Sequence, residues 1–288
     1  MRGCDKFCTF CIVPFTRGRE RSRSISSIIN EAEIAVKKGF KEITLLGQNV
    51  NSYNYQGIPF NQLIENVAKI SGIDRIRFTS PHPNDFPVDL LYTMSEYTNI
   101  CNYVHLPMQS GSDRILQRMN RDYSRNEFID IAKRIRSIIP NVGISTDIIV
   151  GFPGETDIDF QDTLKTMMEI KFDSAYNFKY SSRRGTKASE YDDQINDDVK
   201  SARLDQLISL QKKHTLERNR SLIGSTQEVL IEKESKLSKY QWAGRTDSNK
   251  WIMFDKGNLS LGQMVDVKVI DAKGISLTGE PININSAA

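Results

Sequence analysis

The sequence predicts an α/β fold in two parts: a parallel sheet built from repeated strand–helix units, open or curled into a barrel, then a small antiparallel β-barrel. Three observations predict it. Strand-length apolar runs alternate with segments of helical periodicity from residue 24 to residue 180. One long helical stretch, Asp197 to Leu222, follows them. Beyond Gly224 the pattern changes to short alternating segments separated by Gly, Asn, Asp and Ser, as in a small closed sheet.

The elements follow in order. Ser24-Ile25-Ser26 opens a helix whose apolar positions Ile28, Ile29, Ala32, Ala35 and Val36 fall on one face, and Gly39 stops it. Strands are expected over residues 42–46, 75–79, 103–106, 142–150 and 174–180. The intervening helices are expected over 61–70, 88–97, 113–119, 125–139 and 157–170. The long helix connects the two parts. Strands of the small barrel are expected over 227–232, 240–245, 251–254, 264–270 and 276–280, dividing the chain into domains 1–222 and 223–288. In sheets of repeated βα units, ligands lie beyond the carboxyl ends of the strands. The segments there are 47–53, 80–83, 107–112 and 151–156, each rich in amides, hydroxyls or glycine. Asp147 lies in an apolar strand, where burial without a partner would cost several kcal/mol, and is a candidate either for a polar contact in the barrel interior or for a strand-end carboxylate reaching solvent.

With 288 residues, 39% hydrophobic and 26% charged, the chain has ample material for a core, and its net charge of +3 says little about partners. No apolar run approaches the ~20 residues of a membrane helix, and the start lacks a secretory apolar stretch, so a cytoplasmic location without membrane contact is expected.

Cysteine is scarce and unevenly placed. Three of the four cysteines, Cys4, Cys8 and Cys11, fall within eight residues, and Cys101 stands alone as a small core residue. In a reducing compartment such a group reads as metal ligands. Structural zinc would need a distant fourth ligand, since His82, His105 and His214 are all far away in sequence. A cubane iron–sulfur cluster, normally held by four cysteines, would keep one iron open. Arg17, Arg19, Arg21 and Arg23 follow, suited to a solvated run or to an anionic partner beside the loop.

The run Cys4-Asp5-Lys6-Phe7-Cys8-Thr9-Phe10-Cys11, continued by Ile12-Val13-Pro14-Phe15-Thr16-Arg17-Gly18-Arg19-Glu20, resembles the radical S-adenosylmethionine (SAM) enzymes, and within them the MiaB-type tRNA methylthiotransferases. The resemblance implies a partial β/α barrel followed by an OB-like TRAM barrel. It implies a [4Fe-4S] cluster on Cys4, Cys8 and Cys11, whose open iron chelates SAM. The loop carrying Gln48 and Asn49 would face the SAM amino group, Gln109 and Ser110 would lie near the ribose, and Gly151 and Gly154 would lie under the adenine. Phe10 and Asp147 complete the expected cofactor-binding set. The implied substrate is isopentenyl-adenosine in a tRNA anticodon stem-loop, which would gain a 2-methylthio group. The electron donor would be a flavodoxin or ferredoxin.

Arg17, Arg19 and Arg245 are the expected RNA contacts, the last in the Gly244-to-Lys250 stretch closest to that family. From Ser225 onward 8 Lys and Arg balance 8 Asp and Glu, so RNA affinity there would rest on local contacts. Tyr240, Trp242 and Trp251 are available for stacking, with core packing expected for at least two. The sister family that methylthiolates a ribosomal-protein aspartate shares the cluster motif, and a non-catalytic RNA-binding fragment is the reading from another class. Family members carry a strand and a second-cluster domain before the first cluster cysteine. Here Met1-Arg2-Gly3 abuts Cys4, so Met1 is expected to be an internal methionine of a longer gene, and sulfur insertion by this polypeptide alone is not expected.

Overall fold

The computed structural model describes residues 1–236 and 238–282. After the cysteine loop comes a short helix α1 (Val13–Arg17), then α2 (Ile25–Lys37), whose Ser24 cap accepts from the Ser27 amide, and β1 (Glu42–Leu45). A hairpin, β2 (Asn54–Tyr55) and β3 (Ile58–Pro59), leads into α3 (Phe60–Ala68) and β4 (Arg75–Phe78). Then follow α4 (Val88–Glu96), β5 (Tyr103–His105), α5 (Asp113–Arg118) and α6 (Arg125–Ile138). The alternation ends with β6 (Gly143–Val150), α7 (Asp157–Ile170) and β7 (Ser174–Lys179). Helices α6 and α7 both start on capping boxes, Ser124 with Glu127 and Thr156 with Asp159.

Two parallel groups form the large sheet. Strand β1 pairs with β4, and β5, β6 and β7 pair in that order. A single parallel bridge from Ile76 to Ile100 joins the groups. Spatial order therefore follows chain order, as in the wall of a β/α barrel and unlike a doubly wound sheet, where the order reverses. Among the described residues β1 pairs with no other strand, so the barrel is partial.

Strand alternation sorts the two faces. Ile76, Val104, Ile144 and Ile148 are fully buried under the helices. Their neighbours on the concave face are Arg77, His105, Asp147 and Tyr176, aligned by the registers Thr44 with Arg77, His105 with Ser145, and Asp147 with Tyr176. The lumen is thus polar by construction.

Helix α8 (Asp197–Arg220) lies along β7 and leads to β8 (Thr226–Glu234), β9 (Gln241–Thr246), β10 (Trp251–Asp255), β11 (Met264–Lys273) and β12 (Ser276–Pro281). These close into a five-stranded barrel around a core of its own that includes Ile231, Ile252, Phe254, Val267 and Leu277. The expected antiparallel barrel needs one correction: β10 and β12 pair in parallel, because β12 returns to the open edge of β10 after β11. The boundary proposed at residue 222 falls between α8 and β8, and residues 283–288 of the second domain lie outside the described residues.

The sequence reading did not anticipate α1 or the β2–β3 hairpin. The hairpin turns on Gln56 and Gly57, both at positive φ, with Asn54 Oδ1 accepting from the Gly57 amide at 2.9 Å.

Candidate active site

The cysteine loop is held from several sides. Gly3 has φ +85°, and a Cβ there would lie 2.1 Å from the Arg19 carbonyl oxygen, so only glycine lets the strand ends Arg2 and Arg21 pair at the loop base. Asp5 accepts from Arg19 Nε at 2.7 Å and from the Glu20 amide at 3.2 Å. Thr9 donates its amide to the Met119 carbonyl and its hydroxyl to the Arg118 carbonyl, and its own carbonyl accepts from the Ala188 amide. Asn120 Nδ2 donates to the carbonyls of Lys6 and Phe7. The end of α5 and the segment after β7 therefore fix the loop at the carboxyl mouth of the barrel.

Cys8 is buried, and Cys4 and Cys11 are partly so. Burial pushes the Cys4 and Cys11 thiols up, and the Cys8 sulfur adds to the rise in both. Three clustered thiolates thus lack compensation from one another, which a cationic iron group would supply. Arg121, 8% exposed, donates from Nη1 to Cys8 Sγ at 3.3 Å, from Nη2 to the Pro107 carbonyl at 3.1 Å and from Nε to the Tyr123 hydroxyl at 3.0 Å. Arg114, Arg118 and Arg121 recur at near-helical spacing along and just past α5. The structure separates them, since Arg114 pairs with Asp159 and Arg118 with Asp193. Among the described residues no three His, Cys, Asp or Glu side chains converge on one ion position. A cubane does not require that, because each cysteine ligates a different iron.

Beneath the loop lies a chamber of about 350 Å³ bordered by Phe10, Gln109, Asp147, Ile149 and Phe178. Gln109, at φ +65°, is fixed by backbone bonds to the Asp147 carbonyl and the Ile149 amide. Its side-chain Oε1 is buried without a partner. An orphaned acceptor in a chamber bordered by Phe10 of the cysteine loop fits a polar cofactor such as SAM.

The other expected cofactor residues are engaged within the chain. Gln48 Oε1 accepts from the Gly3 amide at 2.8 Å, so it braces the cysteine loop. Asn49, 1% exposed, directs Nδ2 toward Glu20 at 3.5 Å. Glu20 also accepts from Ser52 at 2.8 Å, a bracing role that its place in an arginine run concealed. Ser110, also 1% exposed, bonds the Ser112 amide and faces Thr163. Gly151 and Gly154, at φ +67° and +77°, shape a turn packed against Lys200 and Asp193. In that turn the Gly151 amide donates to Glu155.

Of the expected RNA residues, Arg17 is exposed on α1, and Arg19 is exposed while paired with Asp5. Arg245 is used differently. Its guanidinium binds Glu232 at 2.6 Å and Glu42 at 2.8 Å, so it ties the small barrel to β1, and a phosphate would have to displace two carboxylates. Exposed Arg183, Arg184 and Lys187 supply positive charge near the loop, with Gly185 packed toward Ile12. In the small barrel Tyr240 is 70% exposed, Trp242 donates to the Leu259 carbonyl beside the core, and Trp251 stacks under Lys233.

Comparison with known proteins agrees with this layout. The radical SAM superfamily profile matches residues 1–167, and a TRAM domain profile matches residues 220–282. A protein of Christiangramia forsetii named tRNA-2-methylthio-N(6)-dimethylallyladenosine synthase is 46% identical over 99% of this chain and 63% of its own length. One of the same name from Parabacteroides distasonis is 50% identical over 98% of this chain and 63% of its own. The chain thus spans 63% of the length of the curated relatives it matches. Among solved structures, coproporphyrinogen III oxidase (HemN) from Escherichia coli superposes over 86% of this chain and 65% of its own with a TM-score of 0.56 at 14% identity, a likeness of fold.

Proposed function

Because the chain belongs to the radical SAM superfamily, we propose that Cys4, Cys8 and Cys11 hold a [4Fe-4S] cluster that binds SAM, and that the reaction served is 2-methylthiolation of N6-dimethylallyladenosine in tRNA. The observation that carries this reading is similarity across 98% or more of the chain to proteins named for that product. When bound, the cluster and SAM supply one-electron cleavage of a sulfonium and hydrogen-atom chemistry at an unreactive C–H bond. The chain's residues do the rest. Arg121 and the Thr9 and Asn120 contacts orient the cysteines, and Gln109 offers its free acceptor to SAM.

Exposed Arg17, Arg183, Arg184 and Lys187 give the mouth the charge to attract an RNA backbone. The TRAM barrel adds surface for the tRNA anticodon stem-loop. A flavodoxin or ferredoxin serves as electron donor, and the cytoplasm is the place of action. Among the described residues no helix is long and apolar enough to cross a membrane.

The test is anaerobic reconstitution followed by iron and sulfide analysis, a SAM-cleavage assay, and mass spectrometry of nucleosides from tRNA incubated with SAM and reductant. One cubane per chain is expected, lost in Cys4→Ala, Cys8→Ala and Cys11→Ala and retained in Cys101→Ala. Stoichiometric zinc in place of iron would refute the cluster. A cluster-loaded protein that neither binds nor modifies tRNA would refute the substrate.

A further inference from the structure

The concave face of the sheet carries a polar chain that the cysteine loop does not use. Tyr103 OH lies 2.5 Å from Ser145 Oγ, Ser145 Oγ lies 2.8 Å from His105 Nδ1, and His105 Nε2 lies 3.3 Å from Asp147 Oδ2. Ser145 has one proton to give. With Tyr103 donating to Ser145, and Ser145 to Nδ1, the imidazole keeps its hydrogen on Nε2, the nitrogen nearest the Asp147 carboxylate. The Asp147 carboxylate then retains free acceptor capacity, and its side chain is 28% exposed to the lumen. It stands where two chambers meet. The chamber of about 350 Å³ lies under the cysteine loop, and a second of about 360 Å³ runs from Asp147 past Tyr103 toward Asn249 of the small barrel. Successive inward residues of β7, Tyr176 and Phe178, are 56% and 50% exposed, with the Tyr176 ring edge-on to His105 at 5.8 Å.

We propose that this junction is the seat of the substrate base: an aminopurine lies against Tyr176 and Phe178, and its exocyclic N–H donates to Asp147. The inference rests on the proposed function and deepens it by assigning base recognition to particular side chains. Two half-exposed aromatic rings on an inner barrel face form a stacking platform for a flat ligand. An acceptor-only carboxylate accepts an amine hydrogen and repels a ring carbonyl, so it selects the amino-bearing base. An N6-alkylated adenine keeps one N6–H for that bond. His105 is a positioning residue that acts through Asp147, held by Ser145 and Tyr103.

The experiment uses the cluster-loaded chain and fluorescence anisotropy with two labelled stem-loop RNAs. One carries an N6-alkyladenosine at a loop position, and the other carries a purine lacking the exocyclic amine. The unsubstituted protein is expected to prefer the amine by roughly 5- to 150-fold, the span of one good base contact. Asp147→Leu is expected to bring the ratio close to one. The isosteric Asp147→Asn, which keeps the fold if leucine does not, lowers the ratio part of the way. Tyr176→Ala weakens both RNAs alike. RNA that binds with the same ratio in both Asp147 variants overturns the base seat while leaving the proposed function standing. RNA that does not bind at all overturns both.

Discussion

Arg121 shows what one residue contributes here. A guanidinium with 8% exposure has lost most of its hydration, and its neighbours able to carry negative charge are Cys8 and Tyr123. The thiolate of a bound cluster is its natural counter-charge, and hydrogen bonds to cluster sulfurs raise the reduction potential. Arg121→Met is therefore expected to hold the cluster at a more negative potential. At a fixed poise the reduced-to-oxidised ratio should fall about tenfold or more, equivalent to about 59 mV for a one-electron couple. Arg121→Lys, which keeps the charge but not the fork, should recover part of it. A redox titration followed by electron paramagnetic resonance decides this, and equal potentials in all three proteins would make the contact purely structural. Cys101 is the contrasting thiol. Burial pushes it up to about 12, so it should resist alkylation at pH 8 in the folded chain, while the partly exposed Cys4 and Cys11 of the iron-free protein react faster.

Among the elements, the cysteine loop depends on a residue that touches no cofactor. Gly3 must take a positive φ and pass 2.1 Å, as a built Cβ would measure it, from the Arg19 carbonyl oxygen. Gly3→Ala should displace the loop base, break the Gly3–Gln48 and Cys4–Gly18 bonds, and lower cluster loading even though all three cysteines remain. Iron content per folded chain, with circular dichroism to confirm the fold, measures this, and full loading would show that the loop base can shift freely. The regular elements were legible in the sequence because strand and helix periods are local signals. The strand at 142–150 and the helices at 125–139 and 157–170 emerge within a residue or two of expectation. The site was less legible. Gln48 and Ser110 sit on the expected rim, yet their polar atoms turn to the chain itself, a choice that depends on where Gly3 and Thr163 arrive from elsewhere. His105 and Asp147 lie 42 residues apart and are joined only by the register of two strands.

Across the whole molecule, buried charge joins the two domains. Arg75, 2% exposed, donates to the carbonyls of Arg245 and Glu228, and Arg77 donates to those of Thr246 and Asp247 and to Glu42. In sequence these arginines look like the solvent-facing residues of an alternating strand, because the chain that covers them lies 150 or more residues away. The clearest single link is Lys250, whose Nζ reaches Asp173 at 2.7 Å and Asn219 at 3.0 Å, all three buried. Burial alone would raise the Asp173 carboxyl, but Lys250 and Arg218 together hold it below its ordinary value of 3.8. A carboxyl depressed on folding contributes stability above its unfolded value and loses it as pH falls through the folded one. Lys250→Met leaves Asp173 with Arg218 and the Ile144 amide, so the loss should sit near the low end for a broken buried pair, about 3 kcal/mol at pH 7. The difference between the two proteins should shrink below pH ~4, where protonation of Asp173 removes the same interaction from both. Urea unfolding at pH 7 and pH 3, with tryptophan fluorescence reporting on Trp242 and Trp251, measures both quantities. A stability gap of the same size at the two pH values would mean that Lys250 holds the domains by packing and not by charge.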